Sequence, residues 1–230
     1  MSLGGSSDHP IQHGPDVCPR GRRHGRDELL ADFLVHVIGT IAALAGAIAV
    51  VFIAGSRNWA ALAPVGVYAG ALVTMFGASA AYNLAYETRF RSILRRLDHS
   101  AIFLMIAGTY TPFTTRLVEG RAAVWSTVLI WSMALGGILL KLTKPRLFER
   151  VGVVIYLALG WSAVAIYAPI ASMLKGWPLA MLIAGGGLYT IGVCFHMRER
   201  LRFHNAIWHL FVLIAASCQY ATVLTAVAMR

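Results

Sequence analysis

The chain has 230 residues, of which 58% are hydrophobic and only 13% are charged. A water-soluble domain carries about 25% charged residues, so this composition excludes an ordinary soluble protein and indicates a surface that faces lipid. The net charge of +10 comes from Lys and Arg clusters between apolar segments, a distribution typical of membrane topology signals and not of nucleic-acid binding.

The apolar segments predict an all-α integral membrane protein. Residues 1–27 are polar, rich in Gly, Pro and Arg, and lack the apolar core of a signal peptide. We expect them to form a disordered cytoplasmic tail, followed by a seven-helix transmembrane domain over residues 28–230. The seven predicted spans cover residues 33–54, 60–86, 98–117, 122–140, 151–174, 179–195 and 205–229.

The basic residues also predict the orientation of the chain in the membrane. If the N-terminus is inside, fifteen of the twenty Lys and Arg lie in the tail and in alternate loops on the inner side, and five lie outside. Inner loops of membrane proteins carry this excess of positive charge. We therefore expect the N-terminus in the cytoplasm, the C-terminus outside, and the bacterial inner membrane as the location.

Polar side chains recur at the cytoplasmic end of four predicted helices. They are His36 in the first turn of helix 1, Ser79 and Asn83 on helix 2, Asp98 and His99 opening helix 3, and His204, Asn205 and His209 opening helix 7. Polar groups at membrane depth usually face the bundle interior, so their shared level predicts one cytoplasm-facing polar cavity. Each also has a structural alternative: a carboxylate can cap a helix, an interfacial His can face headgroups, and Asn can join helices.

Four segments resemble a known family. Arg95–Phe103, Ala107–Phe113, Gly186–Gly192 and Ala206–Leu213 resemble the bacterial hemolysin III proteins. These proteins belong with the progestin and adipoQ receptors, a superfamily that includes the adiponectin receptors. The resemblance extends from about Glu28 to the C-terminus and implies seven helices with the N-terminus inside.

The resemblance also implies a zinc site near the cytoplasmic face. The family's ligands are one His in a Ser-x-x-x-His motif on helix 2 and two in a His-x-x-x-His motif on helix 7, while an Asp on helix 3 holds the water. Zinc lowers the pKa of such a water to about 7, which suits amide hydrolysis. The matching positions here are Ser79 and Asp98, as catalytic residues, and Asn83, Asn205 and His209, as ligand positions.

Two of the three ligand positions depart from the family. Asn replaces His on helix 2 and at the first position on helix 7, and neutral amide oxygens suit harder cations better than zinc. A rearranged set using His36, Asp98, His99 and His209 is the alternative. His204 cannot replace its neighbour, because one helical residue turns the side chain by about 100°. Near the N-terminus, Glu28, Asp32 and His36 only loosely resemble the family's opening Glu/Asn/His pattern.

Three functions follow as hypotheses. The first is a protein that has kept the fold but lost hydrolysis, and acts as a sensor, a scaffold or a lipid-binding protein. The second is a metal-dependent, ceramidase-like lipid amidase with a rearranged site and a ceramide-like or fatty-acyl ligand. The third is the cytolytic, pore-forming activity that the family name implies, although the sequence lacks the charged lumen of a channel.

Overall fold

Every regular element that the computed structural model describes is a helix. The described residues are 25–85, 88–162, 174–198 and 200–228. The helices are α1 Arg26–Arg57, α2 Trp59–Leu84, α3 Arg91–Arg116, α4 Gly120–Thr143, α5 Pro145–Trp161, α6 Trp177–His196 and α7 His204–Val223, with a π-helical end at Leu224–Ala228. Most of the predicted tail and the second half of the predicted fifth span lie outside the described residues.

Several helices begin well before the apolar segment that predicted them. α1 starts at Arg26, so His36 lies in its third turn and not in its first. α3 starts at Arg91, so Asp98 and His99 lie two turns inside the helix, and Asp98 is not its cap. Hydropathy marks where a helix enters lipid, whereas Arg, Leu and Glu continue a helix readily beyond that point. Pro112 lies inside α3, close to its end.

The buried face of α1 shows why this helix positions polar groups. Its buried residues are Glu28, Asp32, His36, Gly39, Ala43, Ala47, Val50 and Ala54, at steps of three and four that keep them on one side. From Gly39 onward the side chains on this face are small, which lets α1 approach its neighbours closely. At Gly39, for example, a β-carbon would lie 2.9 Å from the Phe76 ring. The same face becomes polar toward the N-terminal end of α1.

The helices form a ring in chain order that closes where α7 packs against α1. Each helix packs against the next one, and α3 also contacts α5 and α7, which places it nearest the centre. One apolar core joins α1, α2, α3 and α7. A second core joins α3 to α4 and α5 around Phe103, Phe148 and Leu159. The polar ends of α1, α2, α3 and α7 therefore meet inside the ring.

The outer surface of the ring is apolar. Large side chains such as Ile48 and Phe52 on α1 and Trp125 on α4 are about three-quarters exposed, which is typical of a surface in contact with lipid. Five of the described helices, α1, α2, α4, α6 and α7 with its π-helical end, are long and apolar enough to cross a membrane. The chain is therefore a multi-pass helical membrane protein.

Candidate functional site

The start of α7 is held in place by α1. Glu28 accepts hydrogen bonds from the backbone N–H of Gly25, at 3.0 Å, and of Phe203, at 2.8 Å. Phe203 has a φ of 60°, a left-handed conformation that is strained for a bulky residue. The buried Glu28 carboxylate thus fixes a tight turn just before α7, and that turn directs the first turns of α7 toward α1.

Asp32, His36 and His209 form a compact cluster between α1 and α7. One ligand atom from each of the three lies within 4.8 Å of the others. Asp32 Oδ1 is 3.5 Å from His36 Nδ1 and 3.3 Å from His209 Nδ1, and the two imidazole rings meet edge to face at 4.2 Å. Asp32 and His36 are each only 4% exposed. A buried carboxylate thus stands between the buried imidazole of His36 and the partly buried imidazole of His209.

The hydrogen-bond donors and acceptors of this cluster show where a cation could be held. His36 Nδ1 donates to the Asp32 carbonyl at 2.7 Å, so Nε2 of a neutral His36 carries a lone pair. Ser79 Oγ lies 3.3 Å from Nε2 of both His36 and His209, and its single hydrogen can serve only one of them. If Ser79 donates to His36 and accepts from His209, then His209 Nδ1 directs a lone pair at the Asp32 carboxylate.

The His209 ring provides the atom that faces the Asp32 carboxylate. His209 Nδ1 is buried and makes no hydrogen bond among the described residues, although Asp32 Oδ1 is 3.3 Å away. Either a proton or a metal ion between His209 Nδ1 and Asp32 Oδ1 would make the contact between these two atoms favourable. Two His and one carboxylate are a common ligand set for Zn²⁺ and for Fe²⁺. Ligand atoms around zinc lie about 3.4 Å apart, so small rotations of these side chains would complete the site.

Asn83 and Asn205, at the family's ligand positions, hold a hydrogen-bonded network instead. Asn205 Nδ2 donates to Asp32 Oδ2 at 2.8 Å and to Asn83 Oδ1 at 3.2 Å. Asn83 Nδ2 donates to the Ser79 carbonyl at 2.9 Å. The family's three-His zinc set is not formed, because two of its positions carry these amides. The ligand set that fits a metal is the one contributed by α1 together with His209.

The remaining predicted residues lie around the cluster. Asp98 on α3 lies near Ser79 and His209. His99 points away from the cluster toward Phe148, with the two rings 6.3 Å apart. His204, the first residue of α7, lines the mouth of the cavity. The structure therefore brings together Ser79, Asp98, His36 and His209, and it places His99 and His204 at the periphery.

The cluster opens into a cavity of about 1050 Å³ inside the helix ring. Near the cluster the lining is polar and includes Arg91, Arg95 and Glu149, of which the last two form an ion pair at 3.1 Å. Further in, the lining is largely apolar and extends along α3 as far as Phe113. A cavity that is polar at one end and apolar beyond it matches an amphipathic lipid.

Asp32 is the site residue that sequence reasoning missed. The sequence relates it only to the family's opening pattern, in which Asn precedes the His. The available signal was spacing: Asp32 and His36 are four residues apart and so share a face of one helix. A carboxylate and an imidazole on one face, one of them predicted to face a polar cavity, would have indicated a ligand pair.

The architecture and the site define a class: a multi-pass helical membrane protein with a buried His and carboxylate cluster at the polar end of a lipid-sized cavity. A profile of the family described as Haemolysin-III related matches residues 28–220. The chain is 34% identical to "Hemolysin-3" of Bacillus cereus over 199 residues, covering 86% of this chain and 90% of that protein.

Two further relatives agree. "Hemolysin-3 homolog" of Bacillus subtilis is 30% identical over 198 residues, 86% of this chain and 93% of the relative. The human "Monocyte to macrophage differentiation factor" is 28% identical over 160 residues, 67% of this chain and 66% of the relative. The chain belongs to the Haemolysin-III related family, and the human match supports its place with the progestin and adipoQ receptors.

Proposed function

We propose that this protein is a metal-dependent lipid amidase whose ligands are Asp32, His36 and His209. The observation that supports this function is the position of that cluster, at the polar end of a cavity that is apolar beyond it. A divalent metal held there would polarise an amide carbonyl and acidify a water molecule. The acyl chain of the substrate would extend along α3 into the apolar part of the cavity.

The residues around the cluster supply the remaining requirements of hydrolysis. Asp98 lies across the cavity near Ser79 and His209, where its carboxylate can orient a water and take up its proton. Ser79 hydrogen-bonds both imidazoles and so holds their rings in place. The apolar lining keeps bulk water away from the rest of the acyl chain.

The proposal also specifies the topology of the chain, which determines the side of the membrane from which a lipid reaches the site. Seven spans, with the N-terminus in the cytoplasm, place the polar end of the cavity at the inner face of the bacterial inner membrane. In this arrangement α3 and α5 also cross the membrane, with the polar first turns of α3 at the headgroups. A lipid would then enter from the cytoplasmic leaflet with its head at Arg91 and Arg95.

A specific observation favours a second function, a lipid-binding sensor without hydrolysis. Asn205 already satisfies one oxygen of the Asp32 carboxylate and is joined to Asn83. This network stabilises the same cluster without a metal. The amidase and the sensor would bind the same lipid, and only the amidase would hydrolyse it.

Hydrolysis of a ceramide by the purified, zinc-supplemented protein tests the first function. We expect release of free fatty acid, and a loss of about 100-fold or more in Asp98→Asn at unchanged metal content, because general acid–base catalysis contributes at least that much. Asp27→Asn, a change of an exposed carboxylate at the same end of the protein, should keep full activity. A metal-loaded protein that releases no fatty acid would exclude the amidase and leave the sensor.

A further inference from the structure

The inner end of the cavity carries a second set of polar side chains. These residues, here called the inner belt, are Thr109 and Tyr110 on α3, Trp161 on α5, Tyr189 and Thr190 on α6, and Gln219 on α7. They lie well inside the membrane-spanning part of the helices, where polar groups carry a cost and usually serve a function. The cavity is therefore polar at two levels, with an apolar stretch between them.

Helix geometry gives the separation of the two polar levels. His209 and Gln219 are ten residues apart on α7, which corresponds to about 15 Å along the axis. Asp98 and Thr109 are eleven residues apart on α3, which corresponds to about 16 Å. Ile102, Met105 and other apolar side chains line the cavity between them. The residue positions on α7 and on α3 thus give about the same distance between the two polar levels.

Gln219 is fixed in a slot with one hydrogen-bonding atom unused. Its Nε2 donates to the Leu182 carbonyl at 3.2 Å, and the opposite amide orientation would bring two oxygens together. The slot exists because residue 185 is glycine: a β-carbon there would lie 2.8 Å from Gln219 Nε2. Gln219 is 8% exposed, and its Oε1 is buried without a hydrogen bond among the described residues.

Tyr189 supplies the complementary donor. Its side chain lines the cavity, and no hydrogen bond of its hydroxyl is found within the described part of the chain. Tyr110 differs, because its hydroxyl donates to the Gly160 carbonyl at 2.6 Å. Tyr189 is one turn from Gly185 on the same face of α6, and Gly185 contacts Gln219. An unused donor and an unused acceptor therefore occupy the same region of the cavity.

We propose that the inner belt binds a hydroxyl group on the acyl chain of the ligand. One hydroxyl can accept from Tyr189 and donate to Gln219 Oε1, which satisfies the Tyr189 donor and the buried Gln219 acceptor at once. An extended chain advances about 1.2 Å per bond, so 15 Å places this hydroxyl about twelve bonds from the polar head. The protein would thereby select mid-chain hydroxylated acyl lipids. This inference rests on the lipid binding proposed above and not on hydrolysis.

Competition binding to the detergent-purified protein tests the proposal, with three free fatty acids displacing a fluorescent one. The probes are octadecanoic acid and its 2-hydroxy and 12-hydroxy derivatives, of which the last carries its hydroxyl at the predicted depth. We expect the 12-hydroxy acid to bind about three- to tenfold more tightly than the other two, the effect of one net hydrogen bond. Tyr189→Phe and Gln219→Met should each abolish this preference while keeping the affinity for octadecanoic acid within about twofold.

Tyr82→Phe is the matched control, because Tyr82 lines the cavity at its cytoplasmic end, where it contacts Arg91. This variant should retain the preference for the 12-hydroxy acid. If the wild-type protein binds all three acids equally, or if the preference survives in both inner-belt variants, the hydroxyl site is excluded and lipid binding stands. If none of the three acids binds, the proposed lipid function fails together with this inference.

Discussion

A carboxylate buried between two imidazoles is stabilised by hydrogen bonds and by positive charge beside it, since a charge in a low-dielectric interior is otherwise very costly. Asp32 is in this position, with His36 and His209 on either side. Either a proton or a divalent metal would supply the charge, and the hydrogen bond from His36 Nδ1 to a carbonyl is the kind that orients a metal-binding imidazole. At the scale of single residues, the proposed enzyme and the proposed sensor differ in whether this cluster holds a metal ion.

Ser79 gives the first prediction at this scale. Its hydroxyl contacts both imidazoles, and removal of such a supporting hydrogen bond typically weakens metal binding about 10- to 100-fold. Ser79→Ala should therefore raise the apparent dissociation constant for Zn²⁺ by that factor, as measured by competition with a chromophoric chelator.

Thr74→Ala is the control for Ser79→Ala, because the Thr74 hydroxyl donates to the Gly70 carbonyl of its own helix and bonds no other described residue. Its zinc affinity should equal that of the wild type. Equal affinity in the Ser79 variant would show that this serine does not support the ligands.

At the scale of the helices, small residues determine how closely the elements approach one another. Without a hydrophobic driving force in lipid, helices associate through close packing and hydrogen bonds. Gly108 on α3 faces Ala71 on α2, where an added β-carbon would lie 2.5 Å from the alanine side chain. Such contacts fix the positions of α2 and α3, and with them the position of Asp98 relative to Ser79.

The adjacent glycines of α4 offer a prediction with its own control. A β-carbon at Gly137 would lie 2.4 Å from the Phe103 ring, whereas one at Gly136 would meet nothing within 4 Å. Gly137→Ala should destabilise the protein by about 1–3 kcal/mol through overpacking. Gly136→Ala should be neutral or stabilise it by up to about 1 kcal/mol, because Ala is the better helix former.

Thermal unfolding in detergent measures the effect of both glycine substitutions. The melting temperature of Gly137→Ala should fall below that of the wild type, and that of Gly136→Ala should not. Equal melting temperatures would show that α3 and α4 are not packed as closely as described.

At the scale of the whole molecule, the access of substrate depends on orientation in the membrane. The excess of Lys and Arg in the tail and alternate loops predicts an N-terminus inside and a C-terminus outside. A green fluorescent protein fused after Arg230 should therefore be dark, and alkaline phosphatase fused there should be active. Fluorescence from the C-terminal fusion would place the polar end of the cavity on the outer face.

The sequence predicted the helical membrane class well, because hydropathy and charge report directly on contact with lipid. It also predicted that polar groups of α1, α2, α3 and α7 lie at one level, since their depth follows from their position in each span. Helix ends were less predictable, because α1 and α3 extend into polar segments that hydropathy does not register.

The ligand set could not be predicted from the family motif alone, and the reason is physical. The motif assigns ligands to α2 and α7, and both substituted positions carry amides that bond each other instead. The alternative ligands depend on the rotation of α1 about its axis, which is set by tertiary packing against α2 and α7. Asp32 becomes adjacent to His209 only through that packing.

The metal content of the purified protein, measured by elemental analysis beside single substitutions, tests the central claim most directly. We predict about one divalent metal per chain in the wild type and its loss in Asp32→Ala, His36→Ala and His209→Ala, because each removes one of the three ligands. His99→Ala, outside the cluster, should retain the metal. A wild-type protein without metal, or a His36→Ala variant that keeps it, would contradict the site formed by α1 and α7.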